Sequence, residues 1–277
     1  MKNLKTPLRY PGGKSRAITK ISEFFPDLSQ YDQFREPFVG GGSVALWVTK
    51  TYPDLLVWVN DLYEPLYNFW AHLQVAGDVM QEKLTKIKQD NPDPDKAKEL
   101  FIESKDILSN GANIDRAIAF YVINKCSFSG LGENSSFSRQ ASDSNFSMNG
   151  IDKLSGYMDI IKYWKITNLS YEELLHGEGS FVYLDPPYEI GSNLYGKKGG
   201  MHKYFHHTRF SQACSSAKHS MLVSYNSSNL NKRRFSEWNA AEYDHTYTMR
   251  STGDYIKEQK KRKELVLTNY ENVSTIH

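Results

Sequence analysis

The sequence predicts an α/β domain split by a long, mainly helical insert. Three observations carry this reading. Short apolar runs alternate with helical patterns at both ends of the chain, the pattern of a mostly parallel sheet covered by helices. The first of these units holds a triple glycine, Gly40-Gly41-Gly42, between strand and helix. Residues 63–162, between the two ends, turn helical and polar and then rich in Ser, Asn and Gly. The expected division is a discontinuous α/β domain of residues 1–62 and 163–277 with an insert at 63–162.

At 277 residues the chain has room for one large domain or for one domain with a sizeable insertion. Hydrophobic residues make up 39%, enough for a core, and 18 tyrosines lead an aromatic content of 13% that suits wet binding surfaces. The net charge is only +2, so any basic footprint for nucleic acid must be local. Cys126 and Cys214 form neither a CxxC pair nor a disulfide framework, which fits a reducing cytoplasm. No signal-like apolar region opens the chain and no apolar run approaches about 18 residues, so neither export nor membrane spanning is expected.

The first element is a turn. Leu8-Arg9-Tyr10-Pro11-Gly12-Gly13-Lys14-Ser15 invites comparison with a phosphate loop, but that motif needs a glycine where Leu8 stands. What remains is a tight Gly-Gly turn presenting Lys14, a point charge suited to a ligand carboxylate, ahead of a helix from Arg16 to Phe25. Gln33 to Val39 reads as a strand entering Gly40-Gly41-Gly42-Ser43, then a helix through Val44 to Val48. Glycine lets backbone approach a ligand closely, and a helix N-terminus favours anionic groups. The next strand, Leu55 to Val59, ends in Asn60-Asp61. An acidic residue about 20 positions past the glycines is placed to hold a ribose diol. Together these features indicate an adenosine-type cofactor and leave a nicotinamide and S-adenosylmethionine both open.

From Leu62 to about Leu108 the pattern is helical, with Leu66, Phe69, Trp70 and Leu73 on one face. Asn91-Pro92-Asp93-Pro94-Asp95 breaks the run and caps another helix, and Asn113 to Lys125 carries a further apolar face. Ser127 to Asn149 reads as a long loop with scattered aromatics (Phe128, Phe137, Phe146) and one basic residue, Arg139. Polar side chains with interleaved aromatics suit base-edge contacts and stacking.

A short strand at Tyr163 to Leu169 precedes Ser170-Tyr171. Phe181-Val182-Tyr183-Leu184 reads as a buried central strand ending in Asp185-Pro186-Pro187-Tyr188. This ending suits a planar amine-bearing base brought to a methyl donor. The carboxylate accepts from the exocyclic amine, the Pro-Pro backbone aims the Pro186 carbonyl at the second amine hydrogen, and the Tyr188 ring offers a stacking face. Beyond it lie a glycine-punctuated stretch, Gly191 to Gly200, and His202, His206 and His207, which lack an acidic or thiolate partner set, so no metal is expected. Met221 to Tyr225 and Leu265 to Leu267 read as the last strands, accompanied by basic clusters at Lys232-Arg233-Arg234 and Lys260-Lys261-Arg262-Lys263.

In this order the motifs resemble the Dam-like family of N6-adenine DNA methyltransferases. Arg9 to Lys14 resembles its N-terminal motif, Glu36-Pro37-Phe38-Val39-Gly40-Gly41-Gly42-Ser43 its cofactor loop, Asn60-Asp61-Leu62 its ribose-binding turn, and Asp185 to Tyr188 its catalytic loop. Asn124 to Leu131 is similar to the start of its DNA-contacting hairpin. The resemblance implies a Rossmann-like S-adenosylmethionine-dependent methyltransferase fold in which the insert is the target-recognition domain. It implies catalytic roles for Asp185, Pro186 and Tyr188. It places Tyr10 and Lys14 at the methionine end of the cofactor, and Phe38, Gly40, Gly42 and Ser43 in the cofactor loop. Asp61 would hold the ribose with Leu62 against the adenine, and Ser170 and Tyr171 would touch that adenine. Arg9, Asn124, Ser129 and Arg139 would contact double-stranded DNA. After Leu131 the chain departs from the family: Ser135-Ser136-Phe137-Ser138-Arg139 stands where members that recognise GATC carry another segment, so GATC is not supported as the target.

The expected activity is transfer of a methyl group from S-adenosylmethionine to N6 of a flipped-out adenine, leaving S-adenosylhomocysteine and using no metal. A prokaryotic or phage cytoplasm is the expected location, with or without a cognate restriction enzyme. Two other activities compete. A nicotinamide-dependent oxidoreductase would use the glycine loop but leave Asp185 to Tyr188 without a task, and the same fold could methylate RNA.

Overall fold

The computed structural model describes residues 5–10, 12–128, 135–189, 204–245 and 262–271. Its centre is a seven-stranded sheet, with β1 (Gln33–Glu36), β2 (Leu56–Asn60), β3 (Lys165–Thr167), β4 (Glu178–Leu184), β5 (Lys218–Asn226), β6 (Asn239–His245) and β7 (Arg262–Thr268). The strand order is β3-β2-β1-β4-β5-β7-β6. The first five strands in that order run parallel, and β7 is antiparallel to both of its neighbours. The chain builds outward from β1 to β2 and β3, then returns to the other side of β1 with β4. That reversal makes the carboxyl ends of β1 and β4 a topological switch point, where open α/β sheets bind ligands.

The central strand is apolar because both of its faces are covered. Phe181 and Tyr183 are buried in one core, together with Leu222 and Val266. Val182 and Leu184 are buried in a second core on the opposite face, with Met221, Val223, Leu265 and Leu267. The register Phe34↔Phe181 joins β1 to β4, and Leu184↔Val223 joins β4 to β5.

The helices are α1 (Ile18–Ser22), α2 (Ser43–Thr51), α3 (Glu64–Asp90), α4 (Pro94–Asn110), α5 (Asn113–Cys126), α6 (Arg139–Ser144), α7 (Met148–Ile151) and α8 (Ser155–Ile161), with two more at His207–Ser216 and Asn229–Arg234. The expected Arg16–Phe25 helix is shorter, a 3-10 turn at Lys14–Arg16 followed by α1. The first half of α3 belongs to the core of the sheet: Leu66, Phe69, Trp70 and Leu73 are fully buried beside Phe34 and Val59. At Ala76 the backbone leaves helical values (φ −146°, ψ 31°), and the next residue, Gly77, has no room for a Cβ against Met158. The helix thus kinks where it leaves the sheet to pack with α5 and α8.

The long loop expected at Ser127 to Asn149 is largely ordered structure. Ser127 pairs with Phe137 across an antiparallel bridge, Phe128 N–H donates to the Ser136 carbonyl (3.1 Å) and Ser138 N–H to the Cys126 carbonyl (2.8 Å). The serines read as loop composition are helix caps: Ser138 Oγ accepts from Ala141 N–H and Ser147 Oγ from Gly150 N–H. Two of the three aromatics expected to await bases are occupied in packing. Phe146 is fully buried and Phe137 lies 5.7 Å from the Phe101 ring, leaving Phe128 exposed. No described helix is long and apolar enough to cross a membrane.

Candidate active site

The two loops at the switch point meet. Leaving β1, the chain climbs through Pro37-Phe38-Val39 into the glycines, where Gly40 (φ +49°) and Gly42 (φ +69°) adopt left-handed conformations that side chains resist. Space forbids a side chain as well: a Cβ on Gly40 would sit 2.8 Å from the Tyr10 ring, and one on Gly42 2.7 Å from Trp70. Trp70 Nε1 donates to the Gly40 carbonyl at 3.0 Å, so α3 props the loop from below. Ser43 begins α2, its hydroxyl 2.7 Å from that of Ser15.

Asp61, at the end of β2, pins the same loop. Its Oδ2 accepts from Gly40 N–H (3.0 Å) and its Oδ1 from Tyr63 N–H (3.0 Å). Burial pushes its carboxyl up to about 6, against the pull of those two hydrogen bonds. Asn60, buried beside it, donates to the Pro37 and Leu169 carbonyls and accepts from Leu169 N–H, tying three loops together. Leu62 stands 60% exposed at the surface beside Asp61. Above these groups Phe38 stacks on Tyr171 (5.6 Å, 29°), and Phe205 packs edge-on against Phe38 at 5.9 Å. Ser170 precedes the 3-10 turn Tyr171–Leu175 and donates from its hydroxyl to Glu172.

Asp185 follows β4. Its Oδ2 lies 2.7 Å from Lys14 Nζ. Its Oδ1 is buried and has no hydrogen-bond partner among the described residues. A buried carboxylate oxygen left bare costs free energy unless something accepts the opportunity to donate to it. Burial raises the Asp185 carboxyl above its ordinary range, while the Lys14 ammonium counters by favouring the charged form. Lys14 is itself almost fully buried and also donates to the Gly12 carbonyl (3.0 Å) and to the Tyr188 hydroxyl (3.1 Å). The Lys14 ammonium thus ties the N-terminal turn to the Asp185–Tyr188 loop. Glu36, buried at the end of β1, accepts from Ala45 N–H at 2.9 Å; burial and the nearby Asp185 and Asp61 charges hold its carboxyl well above the usual range. The Tyr188 ring lies 5.8 Å from that of Tyr225 on β5, and its hydroxyl donates to Glu264 of β7 at 2.6 Å.

A MethyltransfD12 profile, described as D12 class N6 adenine-specific DNA methyltransferase, matches residues 10–249 of this sequence. The chain belongs to this family. It is a DNA adenine methyltransferase, an enzyme that acts on DNA and uses a methyl donor. The chain is 27% identical over 202 residues to the type II methyltransferase M.MjaIII of Methanocaldococcus jannaschii, covering 67% of the chain and 70% of that protein. It is 24% identical to the type II methyltransferase M1.LlaDCHI of Lactococcus lactis subsp. cremoris, covering 98% of the chain and 97% of the relative. It is 23% identical to the type II methyltransferase M.CviBI of a Paramecium bursaria Chlorella virus, covering 96% and 100%. The oxidoreductase reading of the glycine loop falls with this membership.

The methyltransferase structure places the residues expected to meet DNA in two groups. Arg9 lies at the base of the hairpin, donating to the Ser127 (2.5 Å) and Phe128 (3.0 Å) carbonyls. Asn124 is fully buried, and its side chain accepts from Arg9 N–H (2.9 Å) and donates to the Arg9 carbonyl (2.7 Å). It is placed to position Arg9, and its burial keeps it from the surface contact expected of it. Arg139 is exposed and pairs with Asp95 at 2.8 Å. Ser129 and His202 lie outside the described residues. His207, read among the histidines, donates to or accepts from the Tyr225 hydroxyl. Among the described residues no group of three or more His, Cys, Asp or Glu side chains could hold a metal.

Sequence reasoning missed Glu36, Phe205, Tyr225 and Glu264. Tyr225 ends a strand adjacent to β4, so its position at the carboxyl edge was a usable signal. Glu264, a carboxylate inside an apolar strand, was the other.

Proposed function

We propose that the chain transfers the methyl group of S-adenosylmethionine to N6 of an adenine flipped out of double-stranded DNA, with Asp185 as the amine acceptor. The observation that carries this reading is the bare, buried Oδ1 of Asp185 beside an oxygen already neutralised by Lys14. An exocyclic amine donates two hydrogens, and Asp185 Oδ1 and the Pro186 carbonyl are the acceptors assigned to them. Accepting both draws the nitrogen lone pair toward the donor side. Tyr188 supplies the stacking face, returning about 1–3 kcal/mol of the few kcal/mol that flipping costs.

The residues present fit the cofactor. Asp61 carries a charge-capable carboxyl that holds the glycine loop, and the Phe38–Tyr171 pair is an aromatic site for an adenine. Tyr10, Lys14, Gly40, Gly42, Ser43, Leu62 and Ser170 complete the assigned binding wall. S-adenosylmethionine when bound supplies a methyl group already activated by its sulfonium charge, so orientation by these side chains does most of the work. Residues 63–162 are assigned to target recognition, although the first half of α3 also supports the catalytic core. Arg9 and Arg139 are the assigned base readers. The type II names of the relatives suggest a partner restriction enzyme for this chain as well.

Mapping N6-methyladenine in DNA from cells that express this protein tests the whole reading. The expected result is methylation at one short sequence. Unmodified adenines throughout, or methyl groups on RNA alone, would overturn it.

A further inference from the structure

The contacts of Tyr188 reach past its own loop to β7, the antiparallel strand beside β5. Glu264 is 2% exposed and lies in β7 opposite Asn226 of β5 and Tyr243 of β6. A carboxylate inside a sheet carries a desolvation cost that packing alone does not offset. Its Oε2 accepts the Tyr188 hydroxyl hydrogen at 2.6 Å. Lys14 donates to that same hydroxyl, to Asp185 Oδ2 and to the Gly12 carbonyl. An ammonium has three hydrogens, and these three acceptors use them all. The chain Lys14 to Tyr188 to Glu264 therefore runs in one direction: the phenol oxygen accepts from lysine and its hydrogen goes to Glu264. The Tyr188 hydroxyl also lies where it can hydrogen-bond Asp185. Two carboxylates thus flank one phenol, and its hydrogen goes to Glu264.

We propose that Glu264 is a positioning residue for methyl transfer: by holding the Tyr188 hydroxyl it fixes where the stacking ring lies and reserves the Asp185 oxygen for the incoming amine. This rests on the assignment of Asp185 and Tyr188 above. A tyrosine anchored only at Cβ swings about its first side-chain torsion, and a bond at the far oxygen stops that swing. Without the Glu264 charge the phenol turns to Asp185 and occupies the acceptor that the amine needs.

A double-mutant cycle with bulk unmethylated DNA as substrate tests this. Glu264→Gln should lower kcat about 10- to 100-fold, the worth of a hydrogen bond to a charged group, with little change in KM for S-adenosylmethionine. In a Tyr188→Phe background, which has no phenol hydrogen to misdirect, the same change should cost less than about twofold. Glu264→Asp, which keeps the charge with a shorter reach, should fall between and covers the case in which Glu264→Gln does not fold. Equal losses in both backgrounds, or wild-type kcat in Glu264→Gln, overturn the proposal. Tyr188→Ala separates the two levels: if it retains wild-type turnover the stacking assignment itself fails, whereas a dead Tyr188→Ala with a silent Glu264→Gln removes only the role of Glu264.

Discussion

Asp185 has two oxygens in different circumstances, one paired with Lys14 and one bare. The asymmetry is what an amine acceptor needs, because a carboxylate with both oxygens satisfied has nothing to offer a base. Asp185→Ala is expected to reduce methyl transfer by about 10²–10³-fold, the usual loss for a group that acts on the reacting centre, while S-adenosylmethionine binding survives. Turnover within a few-fold of wild type, with binding measured by calorimetry, would remove Asp185 from the chemistry. Asp61 gives a second prediction through its titration. Its carboxyl is raised to about 6, so the folded protein holds this proton more tightly than the unfolded chain does. The sign follows: for this group, folding is favoured at pH below the ordinary carboxyl value, and that contribution is lost as pH rises toward about 6. Ligand binding runs the other way, because only the charged form accepts strongly from ribose hydroxyls. Affinity for S-adenosylmethionine should therefore weaken as pH falls through about 6, and Asp61→Asn should bind weakly with no such pH dependence.

Among the elements, the glycine loop and the Asp-Pro-Pro-Tyr turn were readable because each is contiguous and its residue types serve one purpose. A triple glycine after a strand has few explanations, and the structure uses two of the three for left-handed backbone under the Tyr10 and Trp70 rings. Gly42→Ala places a Cβ in a conformation that alanine resists and against Trp70; it should cost about 1–3 kcal/mol in thermal unfolding. The segment after α5 was misread for an equally physical reason. Serines that cap short helices and serines in loops look alike in a sequence, and isolated aromatics give no periodicity to say which way they face. Asn124 belongs to the same lesson. Its likeness to the start of the family's hairpin implied a DNA contact, and in the structure it holds the backbone of a residue 115 positions away. Asn124→Ala should leave both Arg9 backbone groups unpaired and cost about 1–3 kcal/mol of stability. Unfolding in urea would register that loss, and an unchanged midpoint would contradict the clamp.

Across the whole molecule, the strands β1, β2 and β4 followed from apolar runs that end in distinctive turns. The pairing of β7 between β5 and β6 did not. Glu264 lies 76 positions from Tyr188, and no local pattern links the two. Recognition of the target sequence is also a property of the assembled surface. Arg9 and Arg139 lie on separate parts of it, one at the hairpin base and one on α6. Arg139→Ala or Arg9→Ala should relax discrimination at one base position by about 1–3 kcal/mol, read by sequencing the methylated sites. Unchanged site preference in both would move base reading to other side chains. The reversed strand has a consequence for synthesis. Because β7 lies between β5 and β6, a chain leaving the ribosome exposes the long, apolar edge of β5 until residues 262–268 arrive. An unpaired edge of that kind invites pairing with other chains. Strand β7 thus both brings Glu264 to Tyr188 and closes an aggregation-prone seam, and chains stalled before residue 262 should be insoluble and inactive together.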